Sequence, residues 1–277
     1  MSRAVSIYHG RFGRATLYQL NRPMATHAHR EGHLIFLVDG TPSFVPVLDH
    51  PRELSPEAAI AVNPWEPHSF VPGDQERGGL YLVLYVKPIW FLEFGRSAQA
   101  ALRFGRNEVE MTGHIRRAVA KVTSLLLEDT PPGIFDGYLY ELTHECFDQT
   151  WQWMPQGCSL QVAAPCCRDF RVRKSMKLMS QRLGSEVVLD DIARYAGLSR
   201  PHFYRLFRNQ TGLTPNLFLN TLRMERAIEA LTETSDSVAD IGFDLGFASQ
   251  SSFSRFFATN VGMAPSDYRR VAYLAHA

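Results

Sequence analysis

The feature that most constrains the fold of this chain is an internal repeat in its C-terminal half. The segment ARYAGLSRPHFYRLFRNQTGLTPNLF aligns with FDLGFASQSSFSRFFATNVGMAPSDY. The matched pairs lie fifty positions apart: Arg205 with Arg255, Phe207 with Phe257, Gly212 with Gly262, and Pro215 with Pro265. Upstream the offset is forty-nine, so the second copy carries one extra residue in its turn. A repeat of this kind predicts two copies of one supersecondary unit.

Each copy has the pattern of a helix-turn-helix unit. A short amphipathic helix ends at a glycine, Gly197 or Gly246, and a turn leads into a second helix. Glycine suits the turn because it adopts left-handed backbone conformations that other residues resist. The apolar spacing predicts that the second helices bury these residues: Phe203, Leu206, Phe207, Phe253, Phe256 and Phe257.

The outward faces of the second helices carry side chains that can contact DNA. Arginine can donate two hydrogen bonds to guanine, glutamine pairs with adenine, and serine contacts either. The candidate DNA-binding residues are Ser199, Pro201, His202, Tyr204, Arg205, Arg208, Gln250, Ser251, Ser252, Ser254 and Arg255. A plain helical bundle with solvated polar faces is the alternative. It explains poorly why both copies place an arginine at the same position.

A third helix joins the two copies. From Pro215 to about Leu231 the chain lacks an internal glycine or proline, which predicts a rigid helix of roughly 25 Å. Such a spacer suits two recognition helices that enter successive major grooves, about 34 Å apart. Residues 168–277 carry 15 basic and 11 acidic side chains, against 14 and 17 in residues 1–167. The basic half is therefore the candidate for an anionic partner.

The first half reads as strands followed by helices. Between 16 and 86 the segments TLYQL, HLIFLV, PSFVPVL, AAIAV and LYLVLYV predict an antiparallel sandwich or barrel. An apolar period of three to four residues then predicts helices near 107–128 and 134–153, broken at residues 131–133. This αα-hairpin has two open roles, packing on the sheet or forming a homodimer interface.

These patterns predict a two-domain α+β protein, for which 277 residues suffice. The predicted domains are 1–154, a linker at 155–171, and an all-α domain at 172–277. No apolar run reaches the roughly 18–20 residues of a membrane span, and the N-terminus lacks a signal peptide pattern, so we expect a cytoplasmic protein without membrane contact. The four cysteines, Cys146, Cys158, Cys166 and Cys167, are expected to form no disulfides in the cytoplasm, with a thiol redox sensor as the alternative.

Residues 172–270 resemble the DNA-binding domain of the AraC family of transcription regulators. The stretches that carry the resemblance are LDDIARYAGLSRPHFYRLFRNQTGLTP, LRMERAIEAL and DIGFDLGFASQSSFSRFFATNVGMAPSDYRR. The resemblance implies seven helices, two helix-turn-helix units and binding to promoter DNA, with RNA polymerase as a further partner. It assigns base contacts to Pro201, Tyr204, Arg205, Gln250, Ser251, Ser254 and Arg255. Pro201 departs from the larger or polar residues often found there, which puts a base contact at this position in doubt.

The first half resembles the cupin-type sensor domain of the same family, through HAHREGHLIFLVDG and AVNPWEPHSF. His27, His29, Gly40 and His68 fit the cupin pattern, whereas His33 stands where an acid is expected. The glycine usual in the turn before His68 is missing. The resemblance implies a cupin-like β-barrel with an effector site.

The candidate ligand-binding residues are His27, His29, His33, Trp65 and His68, with Phe36, Phe44, Phe70 and Tyr81 as further candidates for the wall. In a strand, His27 and His29 point to the same side. Neutral imidazoles bind divalent transition metals, so His27, His29, His33 and His68 could hold an ion. A metal-free ligand pocket and purely structural histidines are the alternatives, and no cofactor is assigned.

The sequence thus predicts a DNA-binding transcription regulator that is not an enzyme and that responds to a small molecule or metal in its first half. A metal-dependent cupin enzyme with secondary DNA binding is the runner-up. A constitutive architectural DNA binder with a degenerate sensor is a third alternative.

Overall fold

The computed structural model describes residues 2–90, 103–128, 132–151, 167–184 and 187–274. The chain forms two compact units, one made of Met1–Ser159 with Val261–Ala277, the other of Leu160–Asn260. Most of the predicted linker, at 155–166, lies outside the described residues, as do Cys158 and Cys166. The predicted domain boundaries therefore stay a prediction. Among the described residues, no helix has both the length and the apolar character to cross a bilayer.

The first unit, called the sheet unit below, is built on eleven described strands. They are β1 (Arg3–Gly10), β2 (Gly13–Leu20), β3 (Met24–His27), β4 (Gly32–Asp39), β5 (Ser43–Phe44), β6 (Glu53–Leu54), β7 (Ala58–Val62), β8 (His68–Phe70), β9 (Gly79–Val86), β10 (Glu108–Glu110) and β11 (Ala272–Leu274). Seven of them form one sheet in the order β10-β7-β4-β9-β2-β1-β11, and β3-β8 and β5-β6 form two small sheets. All neighbours are antiparallel except β11, which pairs with β1 in parallel.

Four of the five segments predicted as strands lie in strands of this sheet. TLYQL, HLIFLV, AAIAV and LYLVLYV lie in β2, β4, β7 and β9, whereas PSFVPVL forms only the short β5. The sequence prediction missed β1 and β10 as strands, and it did not anticipate β11. The strands of the described residues follow an open order with β10 and β11 at its ends, so the expected closed cupin barrel is not found in them.

Two helices of the sheet unit pack on the large sheet. Helix α1 (Gly113–Leu127) begins after Thr112, whose side chain accepts a hydrogen bond from the backbone NH of Ile115. Helix α2 (Pro132–Trp151) follows, and its apolar residues join the same core as β2, β4 and β9. The two helices are separate, as predicted, but the second was predicted to begin near 134, and Pro132 and Gly133 already belong to it. They form the first turn of α2, where proline costs no hydrogen bond.

The second unit, called the helical unit, contains six of the remaining helices. They are α3 (Phe170–Gln181), α4 (Leu189–Tyr195), α5 (Arg200–Thr211), α6 (Pro215–Glu233), α7 (Val238–Asp244) and α8 (Gln250–Val261). A last helix, α9 (Pro265–Val271), belongs to the sheet unit together with β11. Between residues 167 and 274 the described residues thus form seven helices, the number that the resemblance implies.

Each predicted turn glycine takes the left-handed conformation. Gly197 and Gly246, which end the first helices α4 and α7, have φ values of 70° and 78°. Gly212 and Gly262, which follow the second helices α5 and α8, have φ values of 76° and 84°. Because a β-carbon is disfavoured at these angles, glycine at all four positions explains why the two copies share one backbone path.

Candidate functional site: two helix-turn-helix units and a histidine cluster

The outer face of α5 presents most of its predicted DNA-binding side chains to solvent. Phe203 and Phe207 are fully buried and fix the rotation of the helix, which leaves the opposite face outside. The exposed candidates are Ser199, Pro201, His202, Arg205 and Arg208. Tyr204 is half-buried, and the Arg200 guanidinium lies 5.6 Å from the centre of its ring. Leu206, which was predicted to be buried, is only partly so.

The outer face of α8 repeats this arrangement. Phe253 and Phe257 are fully buried, whereas Phe256 is partly exposed. The predicted residues Gln250, Ser251, Ser252 and Arg255 are exposed, and Ser254 is half-buried. The hydroxyl of Ser249 caps the helix by accepting from the backbone NH of Ser252 at 3.1 Å, and the two hydroxyls lie 3.0 Å apart. Ser252 is therefore engaged in the cap.

The arginines of the two faces keep their charges available. Within the part of the chain that the structure describes, no salt bridge involves Arg205, Arg208 or Arg255. By contrast, Arg194 pairs with Asp191 on the neighbouring helix α4, and Arg200 lies 3.2 Å from Asp190. Unpaired guanidinium groups can form bidentate hydrogen bonds with a guanine edge or contact a phosphate.

The four predicted histidines meet in the sheet unit. His27 in β3 lies opposite His68 in β8 in the strand register, and His33 lies in β4. The ring centres are 4.4 Å apart for His27 and His68, 4.4 Å for His29 and His33, and 4.8 Å for His33 and His68. One nitrogen each of His27, His29 and His68 lie within 4.8 Å of one another. We call these four residues the histidine cluster.

The hydrogen bonds of the histidine cluster leave nitrogens free. The Nδ1 atoms of His27 and His68 lie 2.7 Å and 2.9 Å from the backbone carbonyls of Ala25 and Glu66. A neutral imidazole that donates from Nδ1 keeps the lone pair of Nε2 available. The Nε2 atoms of His29 and His33 are buried without a hydrogen-bond partner among the described residues.

Burial keeps the imidazoles neutral. Loss of solvent lowers the pKa of His68 to about 3, with a further contribution from His27. It also lowers the pKa of His27, and it lowers the pKa of His29 and His33 to well below the usual range, where the other histidines and Arg14 add to the effect. Four neutral rings thus share one enclosed space at neutral pH.

A small cavity adjoins the histidine cluster. Its volume is about 40 Å³, and its walls include His27, His33 and His68 with Tyr85. Of the further candidates for the wall, Phe70 and Tyr81 line it. Phe36 is instead fully buried in the hydrophobic core, and Phe44 is 45% exposed, so neither faces the cavity.

Trp65 contributes to this region through its backbone and not through its side chain. Its φ value is 63°, a left-handed conformation that is rare for a residue other than glycine. Its amide donates to the carbonyl oxygen of His29 at 2.7 Å, which ties the turn before His68 to the loop that carries His29. Its side chain is absent from the described cavity wall. The turn before His68 thus contains a tryptophan in a strained backbone conformation, which this hydrogen bond holds in place.

Three residues that the sequence prediction missed connect the cluster to α9. The ring of Tyr85 lies 4.2 Å from that of His33 and 5.4 Å from that of His29. The Arg14 guanidinium sits 3.6 Å from the centre of the Tyr85 ring and donates to the Tyr268 hydroxyl at 2.9 Å. Tyr85 could have been found, because it shares the period-2 face of β9 with Tyr81. Arg14 and Tyr268 are 254 residues apart and gave no local signal.

The cysteines do not form a reactive centre in the described residues. Cys146 is a buried free thiol, and Cys167 is half-buried. Burial raises the pKa of the Cys146 thiol far above its usual value, so this residue is a poor nucleophile.

Comparison with known proteins bears mainly on the C-terminal part. Residues 192–271 match a family model described as a helix-turn-helix domain. The HTH-type transcriptional activator RhaS of Klebsiella pneumoniae (strain 342) is 30% identical over 102 residues, 37% of each chain. The HTH-type transcriptional regulator MtrA of Neisseria gonorrhoeae is 32% identical over 103 residues, 37% of this chain and 34% of that one. This chain thus matches little more than a third of the length of these relatives, which are named as regulators and not as enzymes.

Solved structures of ToxT from Vibrio cholerae cover nearly the whole chain. Wild-type ToxT from Vibrio cholerae strain SCE256, crystallised with an unsaturated fatty acid, has a TM-score of 0.56 and 12% sequence identity. It covers 93% of this chain and 94% of its own. At this identity the likeness shows a common fold for the two-unit chain, and nothing further.

Proposed function

We propose that this protein, whose residues 192–271 belong to the helix-turn-helix domains of AraC type, is a sequence-specific DNA-binding transcription regulator. The observation that carries the proposal is the pair of recognition helices α5 and α8, each with an exposed arginine at the equivalent position. Double-stranded promoter DNA is the partner, and the two helices are proposed to enter successive major grooves.

The chemistry of the two faces suits base and phosphate contacts together. Arg205 and Arg255 are assigned to guanine, and Gln250 to an adenine edge. Ser199 ends its turn with no side-chain cap hydrogen bond, so its hydroxyl is available to a phosphate at the start of α5. Ser252, whose amide and hydroxyl both lie within hydrogen-bonding distance of the Ser249 hydroxyl, is the weakest of the candidates.

The proposal extends to the sheet unit, which is assigned the role of a cupin-like effector sensor. The support is the histidine cluster, its cavity, and the contacts that run from His33 through Tyr85 and Arg14 to Tyr268. Tyr268 lies on α9, which is part of the segment matched by the family model. An effector can act only through its different affinity for two arrangements of such contacts.

Further partners follow from the same proposal. A regulator that acts on promoters meets RNA polymerase in the cytoplasm, and the names of the relatives favour activation. A homodimer through the helices near 107–128 and 134–153 is supported by Leu127 and Ile134, which are 59% and 55% exposed. The remaining apolar side chains of these two helices are largely buried on the sheet.

The test uses the full-length chain and fluorescence anisotropy with a labelled duplex from the region upstream of its own gene. Arg205→Ala and Arg255→Ala are each expected to weaken specific binding by about 1–3 kcal/mol and to relax specificity at one base. Arg226→Ala is the matched control, because Arg226 is an exposed arginine of the helical unit that pairs with Glu229 on α6. If both recognition-helix variants bind as the control does, the assignment of α5 and α8 fails.

A further inference from the structure

The size of the cavity beside the histidine cluster limits what the sheet unit can bind there. Pockets for organic ligands usually measure about 300–1,000 Å³, and one ordered water needs about 10–15 Å³. The observed 40 Å³ therefore has room for an ion with a few waters, and is far too small for a sugar or a fatty acid.

The donor atoms of the cluster are also those of a metal site. His27, His29 and His68 each place a nitrogen within 4.8 Å of the other two. The backbone carbonyls of Ala25 and Glu66 fix the rings of His27 and His68 through Nδ1, the arrangement that orients metal-binding histidines in proteins. The Nε2 atom of His29 is buried and unpartnered, which is costly unless something binds it.

The acid nearest to His68 along the chain, Glu66, is already engaged in hydrogen bonds. The Glu66 carboxylate accepts from the backbone NH of Asn63 at 2.9 Å and from Nδ2 of Asn107 at 2.8 Å. The group that the structure assembles among its described residues thus offers imidazole nitrogens alone. Such donors suit Zn²⁺, Ni²⁺, Co²⁺ or Cu²⁺, whereas Mg²⁺ and Ca²⁺ require oxygen ligands.

The geometry points to a divalent transition-metal ion as the effector of the sheet unit, bound by His27, His29 and His68 beside His33. This inference rests on the proposed regulator, since it names the effector class of that protein. His33 lies next to the three ligands, and the Tyr85 ring packed on it carries the effect of the ion towards Arg14.

Metal binding is measured first, on untagged full-length protein. Zn²⁺ is titrated in competition with a chromophoric chelator, with Mg²⁺ as the comparator. The wild type is expected to bind one Zn²⁺ and no Mg²⁺, and His29→Ala and His68→Ala are expected to lose at least tenfold in Zn²⁺ affinity. His50→Ala is the matched control, because His50 is an exposed histidine of the same unit.

Two results would overturn the site. One is equal Zn²⁺ affinity in the cluster variants and the His50→Ala control, and the other is no Zn²⁺ binding by the wild type. Should the variants fail to fold by circular dichroism, the Co²⁺ spectrum of the wild type decides. Intense absorption from a nitrogen-bound ion supports the site, and the weak spectrum of aqueous Co²⁺ refutes it.

The effector role is tested separately by DNA anisotropy with Zn²⁺ or with a chelator. A change of at least about fivefold in DNA affinity is expected for the wild type and for His50→Ala, with none in His29→Ala. An unchanged wild-type affinity would refute the metal as effector. Because Arg205→Ala and Arg255→Ala test DNA binding without reference to the ion, failure here leaves the proposed regulator standing.

Discussion

Replacing Tyr268 by phenylalanine removes one hydroxyl from a fully buried position, and we expect it to destabilise the sheet unit by about 2–3 kcal/mol. The hydroxyl accepts from the Arg14 guanidinium at 2.9 Å and lies 3.1 Å from Nε2 of His9. Burial, with further contributions from Arg14 and Lys87, lowers the pKa of His9 to about 3, so the imidazole is neutral and its Nε2 accepts a hydrogen bond from the Tyr268 hydroxyl. The Tyr268 hydroxyl thus hydrogen-bonds both the buried Arg14 cation and the neutral His9 ring.

The magnitude follows from what the substitution leaves behind. A hydrogen bond to a charged group contributes about 1.5–3 kcal/mol, and a neutral one about 0.5–1.5 kcal/mol. Arg14 is only 5% exposed, so water replaces the lost partner poorly. The aromatic ring itself is retained, and no cavity term is added.

The assay is thermal and urea unfolding of the full-length protein, followed by circular dichroism. For a unit of this size, about 2–3 kcal/mol corresponds to a fall in Tm of roughly 4–12 °C. Tyr195→Phe is the matched control, because Tyr195 is 51% exposed and its ring contact with Lys174 survives the change. A loss below about 0.5 kcal/mol for Tyr268→Phe, the range of ordinary surface changes, would refute the idea that this hydroxyl stabilises the buried charge.

Two other substitutions test the backbone and the charge. Gly212→Ala is expected to lower the free energy of unfolding by about 1–2 kcal/mol, because the φ of 76° disfavours a β-carbon although no atom lies within 4 Å of it. Gly137→Ala is its control, because a β-carbon there also meets no atom within 4 Å and Gly137 lies inside helix α2. Equal losses of stability in the two variants would contradict this account. His9→Asn tests the pH dependence. Since the pKa of His9 is about 3 when folded and 6.5 in the unfolded chain, its neutral form stabilises the fold above pH 6.5, and this is lost as the pH falls towards 3. Urea unfolding at pH 7 and pH 5 should therefore show a steeper loss for wild type than for His9→Asn, and parallel losses would contradict the assignment.

The helical unit was largely predictable because its information is local. Apolar residues three or four positions apart, a glycine at each turn and a proline in the first turn of α5, α6 and α9 fix helices within short windows. Because the two copies of the repeat align, each helix assigned in one copy also predicted a helix at the equivalent position of the other. Even so, Leu206 and Phe256 are less buried than their spacing indicated. The helical period predicts which way a side chain points, but not how completely other residues cover it.

The histidine cluster was predictable in membership but not in surroundings. The spacing in HAHREGH and the later His68 identified four residues that the fold brings together. Phe36 and Phe44 were misplaced because the side of a strand that faces the core depends on register across β4, β9 and the short β5. Arg14 and Tyr268 depend on a pairing of the two ends of the chain, which no local pattern reports.

The pairing of β11 with β1 has a consequence for dividing this protein. Ile7 lies opposite Ala272 in that register, so the end of the chain covers the outer edge of the large sheet. A fragment that stops within 155–171 would expose β1 as an open sheet edge, a surface on which strands of other molecules can add. The complementary fragment would carry Tyr268 without Arg14. Cleavage in the linker therefore does not separate the two structural units, because β11 belongs to the sheet unit but stays on the other fragment. We expect the covered sheet edge to form again only when the two fragments are mixed.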